Sequence, residues 1–364
     1  MTHSIVWRDP NGVKLTEFSN FSRLEYIRAE NKVGWLKLEL DPLQLDPALF
    51  RVNMRLEPWR KTHSISPYLD GESVFFLQSW GRAIDSRGVE VVNLMAYDAN
   101  WFLQMRNIAY YSGSAMAGIT AKEIDDAMKD IVRQNLGATA TDTDRDLSTW
   151  LSVQADLAGA PVTTKEYYRK QVLTTLQALA DESYQQGTYL AFDTVYTGPS
   201  ALEFRTYTGQ RGIDHGRDAA QKIIISRESK NLEEPEFIED HSEEYNYIYA
   251  GGKGEAYAKV VKTAYTADAV GLNRREKWVD ARNTADGDAI QSEANAALYK
   301  YRVQKSLTGR IVDTDGLQYG RDFRFGDILY AEYAGQGYNA HLDAIHITVQ
   351  GGRENADLRI RGEA

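Results

Sequence analysis

The stretch from Glu243 to Tyr333 decides the fold of this 364-residue chain. It opens with EEYNYIYAGGKGEAYAKVV (243–261), continues through RREKWVDARN (274–283) and ends with YGRDFRFGDILYAEY (319–333). Alternating aromatic residues before Gly-Gly, and short segments around a Gly-Asp turn, are typical of strands joined by tight turns. Between them, apolar residues at helical spacing predict one helix at about 288–305. The stretch is therefore predicted to be β-rich, and it contains no recognisable catalytic constellation.

The start of the chain shows the same strand periodicity. Leu36, Leu38 and Leu40 alternate with Lys37 and Glu39, which is the pattern of a half-buried strand. Similar short segments recur up to about residue 110, separated by turn residues. This part is therefore predicted to form a small β-barrel or sandwich.

The period changes to that of helices in the middle of the chain. Thr120 precedes Glu123, and Thr163 precedes Glu166, with the Thr-x-x-Glu spacing of a capping box. Each box is followed by apolar residues at helical spacing, so each predicts the start of a helix. Strand patterns then return at about 188–208.

These changes of period divide the chain into three predicted regions within an α+β, β-rich fold class. The regions are a first β-barrel-like domain at 1–110, a helical and mixed α/β insert at 111–205, and a second β-barrel-like domain at 206–364 with the helix at about 288–305 inserted in it.

Composition excludes several functional classes. The formal charge is −10 and basic residues are scattered, so no basic patch for nucleic-acid phosphates is expected. The chain has no cysteine, which excludes disulfides and thiol chemistry. The first residues do not resemble a secretion signal, and no apolar stretch approaches the roughly 20 residues of a membrane helix.

One set of residues, in order along the chain, carries a resemblance to a known family. The set is Tyr245, Tyr247, Tyr249, Arg275, Glu276, Trp278, Asp280, Arg282, Tyr319, Asp322, Gly326 and Asp327. With these residues and the helix between them, the chain resembles the hub proteins at the tail tip of long-tailed siphophages. That family is related to the baseplate hubs of contractile injection systems. The resemblance covers most of the chain.

The resemblance implies a structural, non-enzymatic virion protein at the distal tip of the tail. Hubs of this family carry two similar barrel-like domains, so that a homotrimeric ring presents six units to the sixfold tail tube. The partners implied are the hexameric ring protein at the end of the tube, the tape-measure protein, and a tail fibre or spike protein. No cofactor is implied.

Two other functions are compatible with the residues. The tyrosines at 245, 247 and 249 share a strand face if the strand is regular, and they suit core or interface packing or, in a host-surface adsorption module, the stacking of sugars. A hydrolase with distant carboxylates is the other possibility, with Asp193 and Glu203 as the candidate pair.

Acidic clusters offer no clear metal site. Asp142, Asp144 and Asp146 lack the glycine and glutamate that complete an EF-hand, so helix-entry capping is favoured over calcium binding. The seven acids between positions 233 and 244 are predicted to form a solvated loop or a segment facing a channel. The six histidines show no metal-binding spacing.

Overall fold

A computed structural model gives the structure of residues 2–42, 46, 49–61, 66–84, 88–109, 117–140, 142–167, 169–255, 258–282, 287–312, 314 and 316–362. Strands account for 48% and helices for 17% of the structure, so the predicted β-rich α+β class is confirmed. The helices are α1 (Asn100–Gln104), α2 (Ile124–Leu136), α3 (Val172–Gln185) and α4 (Gly287–Lys300).

The strands are β1 (Thr2–Arg8), β2 (Lys14–Phe18), β3 (Arg23–Ala29), β4 (Trp35–Leu40), β5 (Arg55–Lys61), β6 (Tyr68–Leu69), β7 (Phe75–Ile84), β8 (Glu90–Asp98), β9 (Ala117–Glu123), β10 (Leu151–Val153), β11 (Val162–Tyr167), β12 (Leu190–Gly198), β13 (Ala201–Thr208), β14 (Asp214–His215), β15 (Ile224–Ser226), β16 (Leu232–Asp240), β17 (Tyr247–Gly251), β18 (Val261–Tyr265), β19 (Glu276–Asp280), β20 (Gln304–Ile311), β21 (Ile328–Tyr333), β22 (Gln336–Gln350) and β23 (Arg353–Gly362).

Fifteen strands from the two ends of the chain form one large sheet. Eight of them, β1 to β8, come from the N-terminal part, and seven, β14 to β16 and β20 to β23, come from the C-terminal part. The two groups meet where β22 pairs antiparallel with β3, from Ala344 opposite Ala29 to Gln350 opposite Arg23. The main path of the sheet ends in β2 on one side and β16 on the other.

Both groups of strands contribute to a single hydrophobic core. Trp7 and Leu36 from the first group are fully buried in the same cluster as Leu342 and Ile360 from the second. Hydrogen bonds and core packing therefore cross from one group to the other. The division at 1–110 and 206–364 into two barrel-like domains stays a prediction.

The predicted helix starts in the insert are wrong. Thr120 lies in β9 and Thr163 lies in β11, each with the glutamate three residues later, and the two strands pair with each other. Helix α2 begins only at Ile124 and α3 at Val172, and neither start has a side-chain cap. Thr-x-x-Glu is compatible with extended chain, and the pairing of β9 with β11 decides the conformation here.

The helices of the insert do bury the apolar faces that their spacing predicts. Ile131 of α2 and Leu176 of α3 lie in one core cluster with Phe192 and Phe204. The last two belong to the three-stranded sheet β10-β13-β12. The insert therefore packs two helices on a small sheet, and the same core includes Phe76 of β7 and Leu103 of α1.

A separate three-stranded sheet, β18-β17-β19, packs against α4. Ile248 and Ala250 of the central strand are buried with Ile290 and Ala294 of the helix. The predicted helix at about 288–305 is confirmed in place, but it ends at Lys300 because the chain enters β20 of the large sheet at residue 304.

Candidate functional site

The segment 319–327 lies at the junction of the two strand groups. Tyr319 is buried, and its hydroxyl donates to Asp70 Oδ1 at 2.9 Å. Arg60 of β5 donates to the backbone oxygen of Tyr319 and to the hydroxyl of Tyr68, both at 2.6 Å. Tyr319 thus connects the C-terminal segment to the N-terminal strands.

Gly320 makes this close approach possible. Its φ of +86° lies in the left-handed region, where a side chain is strained. A Cβ at this position would also overlap the Tyr68 hydroxyl. Glycine at 320 therefore meets two requirements, a backbone conformation and a lack of space.

Arg60 also forms the main ion pair of the junction. It is fully buried and donates to Glu354 of β23 through Nε at 3.1 Å and Nη2 at 2.5 Å, while His3 Nε2 lies 2.8 Å from the same carboxylate. Burial alone raises the pKa of Glu354, but the hydrogen bonds from His3 and Arg60 prevail and hold this pKa at about 2. The carboxylate is thus charged and paired across 294 positions of sequence.

The Gly-Asp turn at 326–327 anchors the segment that enters β14. Asp327 accepts hydrogen bonds from the backbone N–H of Ile213 and of Arg324, both at 2.7 Å. Gly326 has φ +92° and lies against the side chain of Arg211. Asp322 similarly accepts the N–H of Gln318 at 2.7 Å. These predicted residues therefore shape the backbone of the junction.

A second buried group of charges joins the large sheet to the insert. Arg28 of β3 forms ion pairs with Asp98 of β8 and Asp193 of β12. Arg211 donates to Asp193 at 2.7 Å, and Asn100 donates to the same residue at 3.0 Å. All five side chains are buried or nearly so. Three distant parts of the chain meet at this cluster.

The two carboxylates of this cluster differ in protonation. Burial raises the pKa of Asp98 to about 7, although Arg28 opposes this effect. Burial also raises the pKa of Asp193, but the charges of Arg28 and Arg211 outweigh it, so this pKa lies below its ordinary value. Asp193 is therefore a charged structural partner of two arginines.

The other candidate of the hydrolase pair, Glu203, is held by Arg205 at 2.5 Å. Paired catalytic carboxylates need unequal environments, one of which keeps a proton available for donation. Asp193 and Glu203 each form an ion pair with an arginine. The arrangement does not resemble an acid–base pair.

A cleft of about 390 Å³ opens beside the junction. Its walls include Asp70, Glu72 and Tyr207 on one side and Asp322 and Arg324 on the other. Several of the charges in this lining already have partners. Arg321 and Asp322 pair at 2.6 Å, for example. The cleft is therefore polar and internally compensated.

The small sheet carries most of the other predicted residues, on a face that the helix does not cover. Tyr247 stacks on Tyr265 with ring centroids 5.1 Å apart, and Arg274 lies 3.7 Å above the ring of Tyr247. Arg274 also donates to the Tyr249 hydroxyl at 2.7 Å. Because Tyr265 and Arg274 both pack on Tyr247, this ring is not a free platform for a sugar.

Tyr245 does not share this face. It packs against Tyr301, just beyond α4, at 5.6 Å, and it belongs to the core between helix and sheet. Strand β17 begins only at Tyr247, because the buried side chain of Asn246 binds the backbone of Asn273 and Arg275 at 2.7 and 2.8 Å. The prediction of one face for all three tyrosines is therefore wrong.

Trp278 lies on the same side of the small sheet as Tyr247 and is 52% exposed. A Cβ on Gly251 would overlap its indole, so the ring lies against this backbone. On the same strand, Glu276 pairs with Arg274 at 2.5 Å and Asp280 with Arg282 at 2.6 Å.

Arg275, at the end of this strand, pairs with Glu244. The motif residues 274–282 thus form local ion pairs around an exposed aromatic ring. Such exposed pairs contribute little to the stability of a fold, because water screens them.

The acidic segment is predicted to be a solvated loop or a segment facing a channel, and the prediction of a loop is wrong for most of its length. Glu233 to Asp240 lie in β16, the outer strand of the large sheet. Glu233 pairs with Arg310, and Glu239 pairs with Lys305 at 3.1 Å. Charges and Pro235 at an outer strand protect its free edge from unspecific pairing.

Metal-binding geometry is not evident in the described ranges. No group of three or more His, Asp or Glu residues there could hold a metal ion. Asp142 accepts a hydrogen bond from the N–H of Asp144 at 3.0 Å at the start of a short 3₁₀ turn, which is the capping role that the pattern favours. None of the described helices is long and apolar enough to cross a membrane.

Three solved structures that share this fold are described as tail proteins. A tail protein from Neisseria meningitidis matches with a TM-score of 0.62 and 11% identity, over 100% of this chain and 97% of its own. The 43 kDa tail protein of prophage MuSo2 from Shewanella oneidensis matches with a TM-score of 0.63 and 11% identity, over 98% of both chains. The prophage tail protein gp18 from Listeria monocytogenes matches with a TM-score of 0.56 and 11% identity, over 100% of this chain and 95% of its own.

The fold is therefore one that phage tail proteins share. Residues 6–360 match the profile of the family described as Siphovirus ReqiPepy6 Gp37-like protein, and the chain belongs to this family. The resemblance to siphophage tail proteins is thus confirmed, and the protein is a component of a virion tail. No curated protein matches the sequence.

Proposed function

We propose that this chain is the hub at the distal tip of the tail, where three copies form a ring. One side of the ring contacts the hexameric ring protein at the end of the tail tube, and the other side holds the central fibre or spike. The lumen of the ring continues the channel of the tube and contacts the tape-measure protein. The ring is structural and catalyses no reaction.

One observation carries this proposal, namely the two strand groups of similar size in the large sheet. Eight N-terminal and seven C-terminal strands lie on either side of the β3–β22 pairing. A chain that presents two such groups can offer six units from three copies, which suits a hexameric neighbour. The extensive contact between the groups, through Arg60 and Glu354 among others, keeps their relative position fixed.

The charged residues support a structural role. Three buried or nearly buried carboxylates with shifted pKa values, Asp98, Asp193 and Glu354, contact arginines that connect separate segments. Perturbed carboxylates in enzymes typically lie in a cleft with access to substrate. Here they lie inside the protein, where their role is to hold the parts of the chain together.

Negative-stain electron microscopy tests the proposal. The purified chain is imaged over a concentration series, alone and mixed with the ring protein encoded beside it. We expect rings with threefold symmetry, six lobes and a central hole. Compact monomers under every condition, including the mixture, would contradict the proposed hub.

A glycan-binding adsorption module is the competing function, and Trp278 is the observation in its favour. An exposed indole that lies against a glycine backbone can stack on a sugar. Binding on a glycan array that is lost in Trp278→Ala, and kept in Tyr247→Phe, would support this function. We expect no glycan signal, because the same ring suits a protein interface.

A further inference from the structure

The small sheet leaves an apolar surface uncovered. Eighteen large hydrophobic side chains are exposed among the described residues, and six of them lie between positions 260 and 278. These six are Val260, Val261, Tyr265, Val270, Leu272 and Trp278. Val261, Tyr265 and Trp278 lie with Tyr247 and Tyr249 on the side of the sheet opposite α4. We call this side, together with Leu272 of the adjoining loop, the open face. Concentrations of exposed apolar side chains of this kind mark interaction surfaces.

The loop at one end of the open face is rigid. Asn273 donates to the backbone and the side chain of Asp268, at 2.9 and 2.8 Å, and Asn246 donates to the backbone of Asn273 at 2.7 Å. This bonding holds Leu272 fully exposed. A preorganised apolar side chain loses little entropy on binding, and it fits a protein partner better than a sugar.

The segment that carries most of the open face is basic in sequence, although the protein is acidic and Lys277 lies over Tyr245 and Tyr301 on the helix side. Residues 258–282 contain six Lys and Arg and three Asp and Glu, a net charge of +3 in a chain of net charge −10. Lys259 lies 5.8 Å from the ring of Trp278, and the described residues include no ion pair of Lys259. The favoured partner therefore has an apolar centre and an acidic rim.

The outer strand β16 of the same protein has these properties. Glu236, Ile238 and Asp240 alternate along it and share one side, and Ile238 is 47% exposed between the two acids. No ion pair of Glu236 occurs within the described ranges. No described strand pairs with the outer side of β16, so this strand is uncovered there. The acids and Pro235 oppose backbone pairing along this edge, and they are compatible with a contact made by side chains.

We propose that the open face of one copy binds strand β16 of the next copy. This inference rests on the proposed ring and names the surfaces that build it. The two surfaces lie on different sheets and differ from each other, so the contact is head-to-tail, as a closed ring requires. Apolar contact between Leu272, Trp278 and Ile238 supplies affinity, and Lys259 opposite Glu236 supplies register.

Two variants each disrupt one of the two proposed contact surfaces. Both change side chains that are exposed in the monomer. Leu272→Asp places a charge on the open face, and Ile238→Lys places a charge at the apolar centre of β16. Their masses are measured by analytical ultracentrifugation under the conditions in which the wild type forms rings. We expect each variant alone to be monomeric, with its circular dichroism spectrum unchanged.

The mixture gives the decisive result. The Leu272→Asp chain still offers an intact β16, and the Ile238→Lys chain still offers an intact open face. An equimolar mixture should therefore form one contact per pair, and hence dimers without rings. A mixture that stays monomeric would overturn the inference, because the face would then bind something other than β16.

Charge reversal is the second test. Lys259→Glu and Glu236→Lys should each weaken assembly about tenfold, and the two together in one chain should restore it. Arg82→Glu, on an exposed ion pair of another strand, is the matched control and should have no effect.

The outcomes distinguish this inference from the proposed function. Wild-type rings that persist in all variants overturn the inference and leave the hub intact. A wild type that never assembles, even with its neighbouring ring protein, contradicts both. A glycan signal abolished by Leu272→Asp or Trp278→Ala, without any ring, assigns the face to adsorption and overturns the inference.

Discussion

The two halves of the segment that carries the family resemblance differ in burial. Tyr319 and Asp327 lie at the buried junction, where they hold N-terminal and C-terminal strands together. Tyr247 and Trp278 lie on a small sheet with their outer face open to solvent. Aromatic and charged residues occur in both halves. Their environments therefore separate residues that stabilise the fold from residues available for contact.

Charges show the same difference. At the junction, Arg60 and Glu354 are buried, so removing one leaves the other uncompensated in a medium of low dielectric constant. On the small sheet, Arg282 and Asp280 pair in solvent, where water replaces a lost partner. The contrast predicts large effects on stability at the junction and small ones at the open face.

The largest expected effect is that of Arg60→Met. It removes the partner of Glu354 and the donor to Tyr319, and the free energy of unfolding should fall by about 3–5 kcal/mol. Urea unfolding followed by tryptophan fluorescence measures it. Arg82→Met breaks the exposed pair with Glu90 and should cost about 1 kcal/mol at most. Equal losses in the two variants would contradict the distinction.

The next largest loss of stability is expected for Gly320→Ala. Both Gly320 and Gly335 have left-handed φ values, +86° and +76°, but only Gly320 lacks space for a Cβ. Gly335→Ala should cost about 1 kcal/mol for backbone strain alone, and Gly320→Ala about 2–3 kcal/mol. The difference between their thermal midpoints measures the steric part, and coincident midpoints would show that the Tyr68 side chain simply moves aside.

Asp98→Asn tests the effect of a buried charge through the pH dependence of the free energy of unfolding. The pKa of Asp98 is about 7 in the folded protein against 3.8 ordinarily, so between these values the folded state binds a proton that the unfolded state lacks. Stability from this group is therefore present below about pH 4 and falls as the pH rises to 7, by up to about 1.4 kcal/mol per pH unit.

The measurement is urea unfolding at pH 5, 6 and 7. Between these values the wild type should lose more stability than the Asp98→Asn variant, in which position 98 does not titrate. Parallel curves for the two proteins would show that Asp98 keeps an ordinary pKa in the folded state.

The smallest effect is expected for Leu272→Ser. This side chain is fully exposed, so the free energy of unfolding should change by less than about 0.5 kcal/mol. Leu342→Ala, in the shared core, is the contrast and should cost about 2–5 kcal/mol. A clear loss of stability in Leu272→Ser would show that the loop is covered within the monomer.

Local periodicity was sufficient for much of the fold. The alternation of Leu36, Leu38 and Leu40 placed all three in the core, and the glycines at 351 and 352 form the turn between β22 and β23 with φ values of +59° and +75°. Such patterns depend on neighbours within a few residues, which the sequence contains. The two capping boxes failed because their residue types are compatible with strands as well as with helices.

The sequence by itself determined the β-rich class, the amphipathic helices, the turns and the family. Only the tertiary structure decided that the two ends share one sheet, that Arg28 meets Asp193 across 165 positions and Arg60 meets Glu354 across 294. The tertiary structure also decided which aromatic side chains are exposed to solvent. The physical reason is that burial and ion pairing depend on segments brought together by strand pairing, and that pairing has no periodic signature in either segment alone.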